Sequence, residues 1–224
     1  MKKLPWHRGR NIEPMIPAVI LAAGFWFMLF SPWTKSLVNF WGTMALAASL
    51  LTVYAVAVDR QGIRQSFSFR AIYLLIGPAA AALLYFIFFA GYKVATAILP
   101  TAGSMVGNIY STKMQATPWL IAVLLLFLIG PAEEIFWRGF VQRRLSIWFS
   151  QGRSPQQSGW KGFMLATALY ALVHIWSGNL MLFGAAAVCG AFWGLIYMRF
   201  KSVWPGLISH ALWDVAIFVV WPIN

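Results

Sequence analysis

Two adjacent glutamates, Glu133 and Glu134, lie inside an apolar stretch of a chain that contains only five acidic residues. A third acid, Asp214, and two of the three histidines, His174 and His210, also lie in apolar segments. A charged side chain near the centre of a bilayer costs about 2.5–3.5 kcal/mol on insertion scales, so such residues usually have a function. Carboxylates and imidazoles can transfer protons, activate water or bind a metal ion. The sequence therefore predicts a buried polar site with the two glutamates at its centre.

The spacing of the polar residues predicts three pairs, each on one face of a helix because the partners are four residues apart. The pairs are Glu134 with Arg138, Tyr170 with His174, and His210 with Asp214. We expect Arg138 to neutralise Glu134 through a salt bridge. Adjacent helical positions are roughly 100° apart, so Glu133 projects away from that arginine. Glu133 is therefore predicted to be the working acid.

The composition predicts the kind of protein that must position these residues. Apolar residues make up 61% of the chain and charged residues 10%, whereas soluble domains average about 45–50% and about 25%. We interpret residues 1–224 as one all-α integral membrane domain, a helical bundle in a lipid bilayer. The net charge of +12 comes from basic residues scattered over short loops, which argues against a nucleic-acid partner. Cys189 is interpreted as a small buried residue.

Seven apolar segments are predicted to span the membrane. They cover residues 15–30, 36–58, 71–99, 118–142, 162–176, 180–198 and 203–221. The first follows a basic stretch but lacks a small-x-small cleavage pattern, so we interpret it as an uncleaved span. With the N-terminus inside and the C-terminus outside, every basic residue except Lys35, Lys93 and Lys113 lies on the inner side. This charge asymmetry follows the positive-inside rule and supports the predicted orientation.

The depth of the polar residues indicates whether they can meet. Measured from the basic residues at the inner boundary, Glu133 lies about 15 Å deep, His174 about 20 Å and His210 about 14 Å, at 1.5 Å per residue. These depths agree within the variation expected from helix tilt. The sequence therefore predicts one shared site in the inner half of the bilayer.

The three motifs in order resemble a known family. Glu-Glu-x-x-x-Arg, aromatic-x-x-x-His and His-x-x-x-Asp, on three apolar segments within residues 118–220, resemble the CPBP or Abi family. These are CAAX-protease and bacteriocin-processing intramembrane peptidases related to the Rce1-type prenyl-protein endopeptidases. The resemblance implies that Glu133 and His174 activate water, and that His210 and the residue at 214 stabilise the oxyanion. It gives Glu134 and Arg138 a supporting role.

Two residues depart from the family pattern. Tyr170 stands where the family usually has Phe, which adds a hydroxyl group. Asp214 stands where many members have Asn, and an ionised aspartate cannot donate to an oxyanion. Either Asp214 is protonated, or it orients His210 and favours its imidazolium form, leaving His210 as the sole donor. We favour the second account, because the spacing of the two residues allows direct contact.

The alternatives to this prediction are a metal-dependent site and two other functions. Glu133, His174, His210 and Asp214 also suit a zinc ion, but the chain has no His-Glu-x-x-His motif, and we favour a site without a cofactor. A proton-coupled transporter or channel, and a non-catalytic scaffold or immunity protein, are the alternative functions. A lipidated or membrane-anchored protein or peptide is the expected substrate: a prenylated C-terminus, a leader peptide or a sorting anchor. The expected location is the cell (inner, cytoplasmic) membrane.

Overall fold

The computed structural model describes residues 12–150 and 155–223, and the regular secondary structure in these residues is entirely helical. The predicted all-α fold is confirmed. The helices are α1 Met15–Phe30, α2 Phe40–Ser66, α3 Tyr73–Ile98, α4 Ala102–Tyr110, α5 Pro118–Phe149, α6 Pro155–Leu172, α7 Leu180–Phe200 and α8 Trp204–Val220. Short 3₁₀ segments follow α4 at Ser111–Gln115 and α6 at Val173–Ser177.

The helices have the length and composition of a polytopic membrane protein. In the part of the chain that the structure describes, α2, α3, α5 and α7 are each long and apolar enough to cross a membrane. The helices α1 and α8 are shorter and apolar. The predicted segment 162–176 falls in α6 and its 3₁₀ extension. The chain is therefore an integral membrane protein, and the number of spans and their orientation stay predictions.

The segment 100–117, which lies between the predicted spans 71–99 and 118–142, contains the additional helix α4 and a 3₁₀ turn. Hydrogen bonds from other parts of the bundle hold this segment in place. The amide of Asn179 donates to the carbonyl of Met105 at 2.8 Å, and the hydroxyl of Tyr110 accepts the backbone N–H of Ile223 at 3.1 Å. These contacts are formed by residues distant in the sequence, so local pattern did not predict them.

Helix α5 carries both glutamates and runs without interruption to Phe149, so residues 139–149 continue the fourth predicted span. It contains two π-helical stretches, Leu125–Ile129 and Ile135–Gln142, on either side of the glutamates. Pro131 lies between them and has no N–H to donate to the preceding turn, which disturbs the regular hydrogen-bond ladder. Such π stretches are common near functional sites because they redirect neighbouring side chains.

The C-terminal half of α5 is fixed by contacts with α2 and α7. Asp59, whose backbone is non-helical at φ −146° and ψ 44°, forms ion pairs with Arg143 and with Arg144, the latter at 2.9 Å. On the other side, the amide of Gln142 donates to the carbonyl of Gly194 in α7 at 2.9 Å. A Cβ atom at Gly194 would lie 2.9 Å from the ring of Phe163, so this glycine permits close packing of α6 against α7.

Candidate functional site

An open-sided cavity of about 630 Å³ lies between the helices, and most of the predicted site residues line it. Those that do are Glu133, Tyr170, His174, His210 and Asp214. They come from α5, from α6 with its 3₁₀ extension, and from α8, and all five are buried. Glu134 and Arg138 are also buried but do not line the cavity. The two adjacent glutamates therefore differ in position, with Glu133 on the cavity and Glu134 behind it.

Glu133 is held by the hydroxyl group of Tyr170. That hydroxyl donates a hydrogen bond to Oε2 of Glu133 at 2.9 Å, and both side chains are buried. A hydrogen bond to a charged acceptor is stronger than one between neutral groups. Tyr170 stands where the family usually has phenylalanine, and its additional hydroxyl group binds the predicted working acid.

His174 has hydrogen-bond partners at both ring nitrogens. Its Nδ1 lies 2.8 Å from the backbone carbonyl of Tyr170, and since a carbonyl only accepts, Nδ1 must carry the proton. Its Nε2 receives the indole N–H of Trp26 from α1 at 3.0 Å. An N–H donor at Nε2 requires a lone pair there, so this arrangement defines the neutral Nδ1–H tautomer.

Glu134 forms the centre of a buried charged network. Its Oε1 lies 3.1 Å from Nη1 of Arg138, which confirms the predicted salt bridge, and 3.0 Å from Nδ1 of His210. Nη2 of Arg138 donates to the carbonyl of Cys189 in α7 at 3.2 Å. Buried charges are tolerated when each has a partner of opposite sign, and Arg138 and Glu134 are such a pair. The network ties α5, α7 and α8 together behind the cavity.

Close approach of α8 to Glu134 depends on Gly206. A Cβ atom at this position would lie 2.6 Å from Oε2 of Glu134, well inside van der Waals contact. The absence of a side chain at the first turn of α8 therefore lets the Glu134 carboxylate fit between the two helices. It also brings His210, one turn further along α8, within reach of the carboxylate.

His210 lies between two carboxylates and against an indole ring. Its Nε2 lies 3.4 Å from Oδ2 of Asp214, so the direct contact expected from the spacing is present. Its ring stacks on Trp193 with centroids 3.7 Å apart and planes 17° from parallel. The N–H of Trp193 donates to Ser209 at 3.2 Å, which fixes the indole orientation. The position of His210 is therefore determined from both edges and one face.

Three residues of this site were missed by sequence reasoning: Trp26, Trp193 and Gly206. Trp26 and Trp193 are two of thirteen tryptophans in the chain, and nothing in their local sequence distinguishes them. Their roles depend on contacts between helices far apart in sequence. For Gly206, the sequence offers only a glycine after a proline near a helix start, which is common and unspecific.

A resident metal ion would need several donor side chains directed at one point. Within residues 12–150 and 155–223, no group of three or more His, Cys, Asp or Glu side chains has an arrangement suited to holding one. The nitrogen that His174 would offer is engaged by Trp26, and both nitrogens of His210 face carboxylates of the protein. His174 could offer Nε2 to a metal ion only if Trp26 moved away, and the absence of a cofactor stays a prediction.

These features define a class: an all-helical integral membrane protein in which buried acids and histidines line one cavity between the helices. A family model described as "Type II CAAX prenyl endopeptidase Rce1-like" matches residues 115–216. This match confirms the resemblance to Rce1-like peptidases that the motifs predicted, and it covers α5 to most of α8. A search of curated proteins gave no match. A search of solved structures also gave none.

Proposed function

We propose that the protein is an intramembrane endopeptidase that hydrolyses a peptide bond of a membrane-associated protein or peptide. The observation that carries this proposal is that the buried side chains of Glu133, His174, His210 and Asp214 all line one cavity. The family match supports a peptidase, because it spans the helices that bring these residues. Substrates attached to the inner leaflet by a prenyl group, leader peptides and sorting anchors are the classes to test first. The cell membrane is the proposed location.

In this mechanism Glu133 is the general base. Its Oε2 accepts a hydrogen bond from the hydroxyl of Tyr170. Among the described residues, Oε1 is the oxygen of this carboxylate that is available to a water in the cavity. The carboxylate takes a proton as that water attacks the peptide carbonyl carbon, and later delivers it to the leaving amine. His174, which shares Tyr170 as a partner with Glu133, helps to orient the same water.

His210 stabilises the oxyanion that forms when water attacks. Its Nδ1 donates to Glu134, and its Nε2 faces Asp214 at 3.4 Å, a contact longer than the best hydrogen bonds. Two ionised carboxylates favour the imidazolium form, in which both nitrogens carry protons. The loosely held Nε2–H is then the donor that can turn to the substrate oxygen. Asp214 acts as the partner that holds this proton until the oxyanion forms.

The proposed chemistry needs no metal ion. The carboxylate supplies the base and the imidazolium supplies the donor, which are the two functions a zinc ion would otherwise perform. Treatment with a chelator, followed by dialysis, is expected to leave cleavage unchanged. Loss of cleavage that returns on addition of Zn²⁺ would establish a metal-dependent enzyme instead.

The proposal is tested with Glu133→Gln in purified protein reconstituted into liposomes. We expect cleavage of fluorogenic peptides with a prenylated C-terminal cysteine, or of a leader-peptide set, to fall by about 10²–10⁴-fold, the usual contribution of a general base. Glu13→Gln is the matched control, because Glu13 is an exposed glutamate in the segment before α1. Full activity in Glu133→Gln would refute the assigned role.

The same reconstituted protein separates the two other functions. A transporter or channel would move protons across liposomes in the absence of any cleavage, and Glu133→Gln would abolish that flux. A non-catalytic scaffold would retain substrate binding in both the wild type and the variant, with no product from either. The grouping of the acids on a single cavity favours hydrolysis, since a proton relay needs groups distributed across the membrane.

A further inference from the structure

The hydrogen bond between Trp26 and His174 joins the proposed active site to a helix outside the family-like segment. Trp26 belongs to α1, whereas the family model begins at residue 115. Its side chain is almost completely buried, at 1% exposure, and it borders the same cavity as His174. The helix α1 packs directly on the 3₁₀ segment Val173–Ser177 that carries the histidine.

The geometry at His174 leaves one protonation pattern. The carbonyl of Tyr170 accepts from Nδ1, and the indole N–H of Trp26 donates to Nε2. The lone pair of Nε2 is the one acceptor site of this tautomer, and Trp26 uses it fully. A water molecule that needs a hydrogen-bond acceptor on His174 therefore competes with Trp26 for the same lone pair.

We propose that Trp26 is a positioning residue for the reaction. Its indole N–H fixes His174 in the Nδ1–H tautomer. This N–H must move away from Nε2 before that nitrogen can accept a hydrogen bond from the reacting water. This inference rests on the proposed function for the role of the water. The tautomer of His174 and the hydrogen bond from Trp26 to its Nε2 do not depend on the proposed function. Trp26 thereby gives α1 an influence on catalysis that the three motifs do not contain.

The surroundings of Trp26 are consistent with a hydrogen bond to His174 that can be replaced by one from water. The indole meets Trp137 edge-on with ring centroids 6.3 Å apart, and it meets His174 at an interplanar angle of 80°. Its N–H contacts the imidazole in a direct neutral pair, with no ionised group to strengthen it. The adjacent cavity of about 630 Å³ offers space on the side from which water and substrate approach.

The first test measures the protonation of His174 in the wild-type protein and uses one variant only to assign the signals. The chain has only three histidines, so ¹⁵N-histidine labelling gives few signals, and His174→Gln assigns those of His174. We expect a protonated Nδ1 and an unprotonated Nε2, with a coupling through the hydrogen bond between Nε2 and the ¹⁵N-labelled indole of Trp26. Absence of that coupling, or a protonated Nε2, would overturn the proposal whether or not the protein is a peptidase.

The second test removes the donor and keeps an aromatic ring. In Trp26→Phe we expect the Nε2 signal to move to the position of an unbonded nitrogen, and cleavage to rise by about two- to tenfold, the factor that corresponds to one net hydrogen bond. Trp137→Phe is the control, because Trp137 is equally buried and its N–H has no hydrogen-bond partner among the described residues. Unchanged or lower activity in a folded Trp26→Phe protein would refute the competition with water.

The outcomes separate the two proposals. If Glu133→Gln keeps full activity, the proposed function fails. The coupling between Trp26 and His174 still tests whether the indole N–H is bound to Nε2. If Glu133→Gln is inactive and Trp26→Phe behaves like the wild type in both signals and rate, the proposed function stands and the role of Trp26 is refuted.

Discussion

Replacing Arg138 with methionine should destabilise the protein more than any exposed substitution. Arg138 is 2% exposed and forms the ion pair with Glu134 at 3.1 Å and the hydrogen bond to the carbonyl of Cys189 at 3.2 Å. Methionine has a similar length and can fill the apolar part of the space. The change therefore isolates the loss of the charge and its hydrogen bonds from the loss of volume.

The expected loss of unfolding free energy follows from the unpaired carboxylate of Glu134. Without Arg138, the carboxylate of Glu134 is buried with His210 as its remaining charged partner. Removing one member of a buried ion pair typically costs about 3–5 kcal/mol, because the other charge stays desolvated. Since Glu134→Gln removes that stranded charge, the double variant Glu134→Gln/Arg138→Met should recover a large part of the loss. The double-mutant cycle measures the interaction directly.

The assay is unfolding in mixed micelles with increasing denaturing detergent, followed by the fluorescence of the thirteen tryptophans. Arg199→Met is the matched control, because Arg199 is an exposed arginine in the last turn of α7, and we expect it to change the free energy of unfolding by about 0.5 kcal/mol or less. A loss below about 1 kcal/mol in Arg138→Met would show that the network does not carry the stability we assign to it.

Three further substitutions test individual contacts of the site. Gly206→Ala should displace Glu134, since the new Cβ would lie 2.6 Å from its Oε2, and we expect both the unfolding midpoint and the cleavage rate to fall; wild-type values would disprove the close packing. Tyr170→Phe removes the donor to Glu133 and should leave the fold intact while changing the pH dependence of cleavage, so an identical pH profile would show that the hydroxyl does not act on the base. Asp214→Asn should retain appreciable activity because the amide can also donate to the oxyanion, and complete loss in a folded protein would contradict that substitution.

Much of the site could be predicted because its pairs are local. The spacing of Glu134 and Arg138 places them on one helix face, and the observed salt bridge follows from helix geometry alone. The different positions of the two glutamates follow from the same geometry. The all-helical fold followed from composition and hydropathy, which report on burial in a bilayer.

The remaining contacts could not be predicted because they form between helices. The bond from His210 to Glu134 joins residues 76 apart, and that from Trp26 to His174 joins residues 148 apart. Helical periodicity describes one helix at a time and gives no relative rotation or depth for two of them. The depth estimate placed the polar groups at a common level, but it could not identify which neighbour each would bind.

Helix α7 forms one wall of the site, and α5 binds this wall through backbone carbonyl groups. Arg138 and Gln142 of α5 donate to the carbonyls of Cys189 and Gly194, so the bonds that hold α7 here do not depend on the identity of its side chains. What matters is that no larger side chain intervenes at Gly194, where a Cβ atom would meet Phe163 at 2.9 Å. At Cys189 and Gly194, selection should therefore act on size rather than on chemistry, whereas Trp193 between them is required for its indole contacts with His210 and Ser209. A library of substitutions in α7 should tolerate changes at Cys189 that preserve volume and reject even alanine at Gly194.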